Sequence, residues 1–412
     1  MTMYIEHHDV LIIGAGPSGS IAAALLHRQG HKVLVVEREE FPRFSIGESL
    51  LPQSMEFIEE AGMLRAVVEH GFQFKNGASF VRGEQETAFD FREKHTPGWG
   101  TTYQVQRADF DHLLAKEAAR QGVEIRYRHR VTEADLSAQP RIRIEAPDGQ
   151  PAYTVHARFV LDASGFGRVL PRLLQLERPS AFPVRTAHFT HIRDGIPGSG
   201  GAFDRNKIRI TVHPRHHDVW YWLIPFSNGR SSIGVVTPDG FIEKMTGDET
   251  EKLRTLVHED PALRALLADA EWDTPARRLT GYAANVTSLH GPGYALLGNA
   301  GEFLDPIFSS GVTIAMKSAS LASKAVHRLL GGEQPDWEQD YAQPLKRGMD
   351  TFRTFVESWY AGGFQDVIFH EEQEPQIRGM ISSILAGYAW DLSNPFVAES
   401  KRRLTALEAL CA

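Results

Sequence analysis

The chain has 412 residues, enough for two or three compact domains with an interior that can bury a cofactor. A net charge of -8 argues against a large basic surface for nucleic acid, and a charged content of 23% is ordinary for a globular protein. The single cysteine, Cys411, excludes an intramolecular disulfide and a cysteine-rich metal site and favours a reducing compartment. The N-terminus lacks the basic segment of a signal peptide, and no window holds the ~18 nearly uncharged apolar residues of a membrane span. We therefore expect a cytoplasmic protein with no membrane span and no nucleic-acid partner.

The first elements predict a dinucleotide-binding βαβ unit. An apolar strand over residues 10–13 is followed by an Ala/Leu-rich helix and by a second strand over 32–36. Between the first strand and the helix lie three glycines in GxGxxG spacing, Gly14, Gly16 and Gly19. The first makes the tight turn, the second lets the backbone approach a pyrophosphate, and the third lets the helix pack closely on the strand.

Two further features of this unit predict how it holds a nucleotide. Unpaired amides at the helix N-terminus would bind a phosphate. Glu37 follows the second strand, about 20 residues after the glycines, where a carboxylate accepts hydrogen bonds from a ribose hydroxyl. We count its neighbour Arg38 with the same site.

A loop rich in Pro, Arg and Gly comes next and leads into a helix that begins near Leu51. The residues placed where this loop would fold back over a bound nucleotide are Arg43, Gly47, Glu48 and Ser49. A plain loop with a helix N-cap explains them as well. Residues 71–91 then alternate apolar with polar side chains and predict two or three antiparallel strands. Lys75 lies among aromatics there, and on a solvated strand face it would have no function.

The segment 103–168 returns to the nucleotide-binding topology. We predict an amphipathic helix over 108–120 and a parallel-type strand over 123–127, with Arg107 placed before the helix to reach a phosphate. Strands around 141–145 and 153–157 predict a β-meander insertion. A further buried strand then ends in Asp162 and Gly165, and the loop after such a strand faces the ligand crevice of an open α/β sheet.

A second domain begins where aromatic, histidine and arginine-rich strands appear, from about residue 183 to 236. Trp220 and Trp222 share one face of a strand and Tyr221 takes the other, an arrangement that is usually core packing. The histidines lack the carboxylate and histidine spacing of a metal site, which we therefore do not expect; they are His188, His191, His213, His216 and His217.

The last third of the chain returns to the cofactor and then becomes helical. We predict a helix over 246–269 with Thr246 as N-cap, and strands around 276–284 and 294–297. A Gly/Asp/Pro/Ser loop then leads into a long helix that starts near Gly311, whose free amides form an anion site. Residues 336–412 predict four helices. Aromatics at near-helical spacing there would form either core or an apolar cap over a substrate mouth, namely Phe352, Phe355, Trp359, Phe364 and Phe369.

The predicted fold class is α/β (α+β). A dinucleotide-binding domain with a parallel sheet is assigned to 1–70, 104–180 and 290–335, an antiparallel-sheet substrate domain to 71–103 and 181–289, and a helical C-terminal region to 336–412.

Several of these motifs together resemble the glutathione-reductase-type flavoproteins of the para-hydroxybenzoate hydroxylase fold, over nearly the whole chain. They are GAGPSG, Glu37, RFSIGESL, Arg107, DASG and GNAGEFLDP. The resemblance implies FAD, extended from Gly14 toward the loop at Asp305. The cofactor-binding residues that it implies are Gly14, Gly16, Pro17, Ser18, Gly19, Glu37, Arg38, Arg43, Ser49, Arg107, Asp162, Asn299, Asp305 and Gly311. Asn299 stands where the family carries an aspartate at the ribityl chain, and its amide can still bond a hydroxyl.

Three features narrow the resemblance to the flavin-dependent halogenases. The stretch from Trp220 to Pro225 matches the WxWxIP motif of that family, with Trp222 as its second tryptophan. Residues 303–311 match its FxxPxxSxG pattern through Phe303, Pro306, Ser309 and Gly311. Lys75 falls at the place of the family's catalytic lysine. Phe308 replaces the glutamate of the tryptophan-specific members, so the resemblance is to the phenol and pyrrole branch.

This resemblance implies a mechanism and partners. A separate NAD(P)H-dependent flavin reductase supplies FADH2, which with O2 gives a flavin C4a-hydroperoxide that oxidises bromide or chloride to hypohalous acid. The halide is held by Ser310 and Gly311, and Lys75 carries the oxidant to a small aromatic substrate, free or on an acyl carrier protein. Trp220, Trp222 and Ser309 complete the implied catalytic set.

Two other functions stay open at this point. A halide-independent FAD monooxygenase, or a polyene or isoprenoid reductase or dehydrogenase, would share every motif except the need for Lys75 and the tryptophan pair. A catalytically inactive flavoprotein would bind FAD as a scaffold within a biosynthetic complex.

Overall fold

We describe the fold from a computed structural model, in which residues 5–137, 139–197 and 203–411 are described. The strands, in chain order, are β1 (Ile5–Ile13), β2 (Val33–Glu37), β3 (Gln73–Lys75), β4 (Gly77–Arg82), β5 (Gln85–Asp90), β6 (Thr102–Gln104), β7 (Glu124–Tyr127), β8 (Arg130–Asp135), β9 (Arg141–Glu145), β10 (Tyr153–Asp162), β11 (Glu177–Pro179), β12 (Arg185–Arg193), β13 (Lys207–Val212), β14 (Trp220–Pro225), β15 (Arg230–Pro238), β16 (Arg277–Thr280), β17 (Ala284–Val286), β18 (His290–Gly291) and β19 (Tyr294–Leu296).

The α-helices, in chain order, are α1 (Pro17–Arg28), α2 (Ser54–Glu60), α3 (Leu64–Glu69), α4 (Arg107–Arg120), α5 (Val169–Leu173), α6 (Glu249–Glu259), α7 (Pro261–Leu266), α8 (Ser310–Leu330), α9 (Gln343–Ala361), α10 (Gly363–Phe369), α11 (Pro375–Leu385), α12 (Pro395–Ala398) and α13 (Ser400–Cys411). Short 3-10 turns lie at Gly165–Gly167 and Gly298–Ala300, and a π-helical turn at Glu338–Ala342 precedes α9. Among the described residues no helix is both long enough and apolar enough to cross a membrane.

The first sheet is built around the parallel strands β1, β2, β7, β10 and β19, in the order β18-β19-β10-β1-β2-β7. Every residue of β2 and the last four of β1 are buried, because α1 packs on one face of these strands and β9 and α5 pack on the other. A parallel sheet that is covered on both faces has continuous Val, Leu and Ile runs, as these strands do. The predicted α/β fold class with a parallel FAD-type sheet is confirmed.

The strand β10 corrects one prediction. The separate strands expected around 153–157 and up to Asp162 are one continuous strand. Its first half pairs antiparallel with β9 and its second half pairs parallel with β19, while β1 runs along its entire other edge.

The second sheet has seven strands in the order β16-β12-β15-β14-β13-β4-β5. It joins two distant parts of the chain, because β4 from the segment 71–91 pairs in parallel with β13. β14 lies at its centre with all six residues buried. This sheet agrees with the predicted antiparallel strands except at the parallel β4–β13 junction.

Two helical predictions are wrong in detail. The helix predicted over 246–269 begins at Glu249, because Asp248 and Glu251 form a capping box, and it breaks at Asp260 before Pro261. The C-terminal region, within the described residues, has five α-helices instead of four, since Asn394 caps an extra short helix that starts at Pro395.

The aromatic side chains of this region are core, as one of the two interpretations predicted, with exposures of 0% for Phe352, Phe355, Trp359 and Phe364 and 6% for Phe369.

Candidate functional site

A cavity of about 430 Å³ lies at the carboxyl ends of β1 and β2, and strands of the seven-stranded sheet close its far end. The predicted site residues that line it are Gly14, Gly16, Pro17, Ser18, Glu37, Arg38, Arg43, Ser49, Arg107, Trp220, Trp222, Asn299, Ser309 and Gly311. The other predicted residues, all within the described part of the chain, lie outside this lining: Gly19, Lys75, Asp162, Asp305 and Ser310. Ligands of open α/β sheets bind at such strand ends.

The turn from β1 into α1 leaves no room for side chains at two of its glycines. Gly14 has a φ of +100°, and a Cβ there would lie 2.6 Å from the Ala163 carbonyl oxygen. A Cβ on Gly19 would lie 1.9 Å from the Gly14 carbonyl oxygen, so this glycine sets the helix-to-strand distance from outside the cavity. Gly16 differs, since the nearest protein atom to its Cβ position is 3.6 Å away, on Arg43.

Glu37 places a carboxylate at the end of β2. It is only 5% exposed, and its two oxygens accept hydrogen bonds from the amides of Ala15 (2.9 Å) and Glu39 (3.0 Å). These bonds fix the carboxylate beside the glycine turn with lone pairs remaining for further donors. The position fits the ribose contact predicted from the sequence.

Two arginines of the cavity lining share one buried acid. Asp111 is fully buried and accepts from Arg107 through Nε (2.7 Å) and Nη2 (3.0 Å) and from Arg43 through Nη1 (3.1 Å). One carboxylate therefore orients two guanidinium groups and leaves a net positive charge, which suits a pyrophosphate. Asp111 was not predicted from the sequence, where its place one helical turn after Arg107 was the available signal.

Asp162 lies behind the cavity lining and positions the loop that follows it. It is fully buried, with Oδ1 accepting from the amide of Ser164 (2.9 Å) and Oδ2 from the amide of Leu170 (2.7 Å). Burial raises the pKa of this carboxyl. The residues that it holds in place, 163–167, line the cavity, so Asp162 acts through its loop rather than by direct contact.

Asp305 also lies behind the lining, at the centre of a buried polar cluster. Its carboxylate accepts from Tyr360 Oη (3.0 Å), Tyr282 Oη (3.3 Å) and the amide of Ile307 (3.0 Å). Burial raises its pKa to about 6. The Arg185 guanidinium lies 3.5 Å from the centre of the Tyr360 ring. The cluster ties the loop before α8 to α9.

The two tryptophans lie on the cavity lining with both indole N–H groups satisfied. Trp220 Nε1 donates to Tyr360 Oη (2.9 Å), and Trp222 Nε1 donates to Ser232 Oγ (3.0 Å). Their ring centres are 5.9 Å apart. The Trp222 ring lies flat against the backbone of Gly234, where a Cβ would be 2.2 Å from it. The pair forms a fixed apolar wall that is also part of the core.

We expect Tyr360→Phe to destabilise the protein more than Tyr282→Phe. The first change leaves the buried Trp220 N–H without its acceptor and removes a donor from Asp305, at a cost of about 1–3 kcal/mol. The second removes only one donor from Asp305, at a cost of about 1 kcal/mol. Urea unfolding of the two variants measures the difference. Equal losses would contradict a fixed Trp220.

Lys75 is buried, so the interpretation as a solvated lysine is wrong. It is 1% exposed, and Nζ donates to Ser49 Oγ and to the Leu50 carbonyl oxygen, both at 2.7 Å. Nζ also lies 5.4 Å from the centre of the Phe91 ring. Burial lowers its pKa to about 7. Because Ser49 lines the cavity, the lysine nitrogen is one hydroxyl away from it.

Glu48 and His191 form a contact that the sequence did not predict. His191 Nε2 lies 2.6 Å from Glu48 Oε1, and Glu48 lines the cavity. The alternation of β12 turns His188 to the opposite face, where it contacts Glu249. The described residues contain no group of three or more His, Cys, Asp or Glu placed to hold a metal ion.

Residues 7–343 match the family model described as the FAD binding domain. The chain belongs to this family. It is 27% identical over 94% of its length, and over 93% of the relative, to a 1H-pyrrole-2-carbonyl-[peptidyl-carrier protein] brominase of Pseudoalteromonas luteoviolacea. It shares a TM-score of 0.85 and 25% identity with a solved flavin-dependent brominase, over 98% of this chain and 100% of that one.

A solved flavoprotein/dehydrogenase from Cytophaga hutchinsonii is more similar, with 43% identity and a TM-score of 0.95 over 98% of this chain and 99% of that one. The predicted membership of the flavin-dependent halogenase family is confirmed. FAD and a halide ion are the cofactors that this membership indicates. The cavity fits FAD, since its lining brings together a glycine turn at a helix N-terminus and two arginines, which suit a pyrophosphate, and the Glu37 carboxylate, which suits a ribose.

Proposed function

We propose that this protein is a halogenase that uses reduced FAD and O2 to install bromide or chloride on an electron-rich aromatic of phenol or pyrrole type. The observation that carries the proposal is Lys75, an amine buried one hydroxyl away from a cavity whose far wall is a tryptophan pair. The pyrrole brominase among the relatives supports a pyrrole-type substrate tethered to a carrier protein, and a free aromatic is the alternative.

Reduced FAD would supply the two electrons with which O2 oxidises a halide to the level of hypohalous acid. Residues at the glycine turn, Glu37, Arg43 and Arg107 would hold the nucleotide part of the cofactor. Ser310 and Gly311 begin α8, and amides at a helix N-terminus suit a halide. A separate NAD(P)H-dependent flavin reductase would supply the reduced cofactor.

Lys75 would take the oxidised halogen and present it to the aromatic ring. A neutral amine donates two hydrogen bonds and keeps a lone pair, which matches the two acceptors, Ser49 Oγ and the Leu50 carbonyl. Its lowered pKa keeps a large fraction neutral near pH 7. Trp220 and Trp222 would hold a bulky substrate away from the cofactor end, so that halide rather than carbon meets the oxidant.

The test is a mass-spectrometric assay with purified protein, FAD, a flavin reductase, NADH, O2 and either bromide or chloride. Phenols, indoles, and pyrroles both free and loaded on a carrier protein serve as substrates. We expect a halogen isotope pattern on a phenol or pyrrole, absent when halide is omitted. An oxygenated or desaturated product formed equally without halide would reject the proposal.

A halide-independent FAD dehydrogenase or monooxygenase is the second candidate. The similarity at 43% identity to a protein described as a flavoprotein/dehydrogenase favours it. Such an activity does not require the Lys75 amine, because electrons would pass between FAD and substrate without a halogen carrier. The same assay separates the two, since only the halogenase depends on halide.

A further inference from the structure

The pair of Glu48, which is buried, and His191, which is half-buried, lies at the cofactor end of the cavity. Glu48 is 3% exposed and lies between Gly47 and Ser49, which line the cavity with it. A Cβ on Gly47 would lie 3.6 Å from Val312 in the first turn of α8, so this stretch faces the end of the cavity where α8 begins. The pair joins the loop of the FAD-type domain to β12 of the second sheet across 143 residues.

The surroundings of the pair are mostly apolar. The imidazole ring lies 5.5 Å from the Phe44 ring and 5.2 Å from the Phe226 ring. The charged groups nearby already have partners. Arg230 reaches the His191 carbonyl at 3.5 Å while paired with Asp273, Arg277 lies over the Phe44 ring, and Lys75 bonds the neighbouring Ser49. Glu48 is therefore the direct acidic partner of the His191 ring.

The proposed reaction needs a proton at this end of the cavity. Aromatic C–H, halide, reduced FAD, O2 and one proton give aromatic C–halogen, FAD and two waters, so each turnover consumes one proton from solvent. The interior near Glu48 is shielded from bulk water, and a positioned acid contributes about 100-fold or more to such a transfer. A carboxylate and an imidazole 2.6 Å apart can pass a proton between them.

We propose that Glu48 and His191 are the proton-holding pair of this site, with Glu48 presenting the proton to the cavity and His191 resupplying it. This inference rests on the proposed function. The chain carries a matched pair for comparison, since His188 on the opposite face of β12 lies 2.7 Å from Glu249 and neither residue lines the cavity. Only the pair with access to the cavity should matter for turnover.

The test compares Glu48→Gln, His191→Asn and His188→Asn, each loaded with FAD. We expect the first two to slow halogenation about 100-fold and the third to leave it unchanged. Proton-carrying small buffers such as imidazole should restore part of the lost rate in His191→Asn. Proton NMR should show a strongly downfield Glu48–His191 hydrogen-bond signal in the unmodified protein and in His188→Asn, and its loss in the other two variants.

Two outcomes would overturn the inference. The first is a His191→Asn variant whose halogenation rate equals that of the unmodified protein. The second is a slow His191→Asn variant that binds FAD poorly and gains nothing from imidazole, which assigns the pair a purely structural role. Absence of halogenated product from the unmodified protein would instead reject the proposed function.

Discussion

Lys75→Met should lower halogenation at least about 100-fold while leaving FAD affinity within about threefold. Methionine is apolar and follows the lysine side chain as far as Cε, so it fills most of the buried space next to Phe91 but removes the nitrogen that Ser49 and the Leu50 carbonyl contact. The loss therefore reports on the amine rather than on packing. Mass spectrometry of the product and a fluorescence titration with FAD measure the two quantities.

Lys207→Met is the matched control, because Lys207 lies on β13 directly opposite Gly77, pairs with Asp204 and is absent from the cavity lining within the described residues. It should keep the full rate. Lys75→Arg should be as inactive as Lys75→Met, since a guanidinium stays charged and offers no amine lone pair. Normal halogenation by Lys75→Met would reject the role of the amine and leave the halogenase activity itself standing.

The lowered pKa of Lys75 adds a pH signature. The neutral amine gains population as pH rises through about 7, so the halogenation rate should rise over that range. Between about 7 and the ordinary value of 10.5, the unfolded chain binds a proton that the folded chain does not. The free energy of unfolding of the unmodified protein, relative to Lys75→Met, should therefore increase with pH across this window and level off above it.

Much of the FAD-type domain could be predicted because its signals are local. The glycine spacing specifies the turn, the apolar runs specify buried parallel strands, and Glu37 stands at a fixed distance from them. The structure keeps each of these features, and Arg107 begins α4 one residue before the predicted helix. The contact from Arg43 to Asp111 spans 68 residues, and no local pattern encodes which acid orients a given arginine.

The features that sequence reasoning missed depend on tertiary contacts. The alternation in 71–91 predicts strands but does not show that β4 pairs with β13 or that the loop at Ser49 covers Lys75. In the sequence His191 belongs to a group of histidines, whereas in the fold its position on β12 places its ring beside Glu48. In each case the partner comes from a different part of the chain, so burial and charge at the site follow from the assembled fold.

Changing two glycines of the same motif to alanine should have different effects, one on folding stability and the other on FAD affinity. Gly19→Ala places a Cβ 1.9 Å from the Gly14 carbonyl oxygen, which forces α1 away from β1 and should cost about 3 kcal/mol of stability. Gly16→Ala has no such clash, because its φ of -66° and ψ of -173° suit alanine and the nearest protein atom is 3.6 Å from the new Cβ. Its folding stability should change by less than about 1 kcal/mol.

FAD binding reverses this order of sensitivity. Gly16 lines the cavity where the backbone would approach the pyrophosphate, so a methyl group there takes up space that the cofactor needs. We expect Gly16→Ala to weaken FAD affinity about tenfold or more in a well-folded protein, by titration, whereas Gly19→Ala should lose stability in urea unfolding without FAD. If Gly16→Ala left the FAD affinity unchanged, the pyrophosphate would have to lie elsewhere in the cavity, because the added methyl group would then not contact the cofactor.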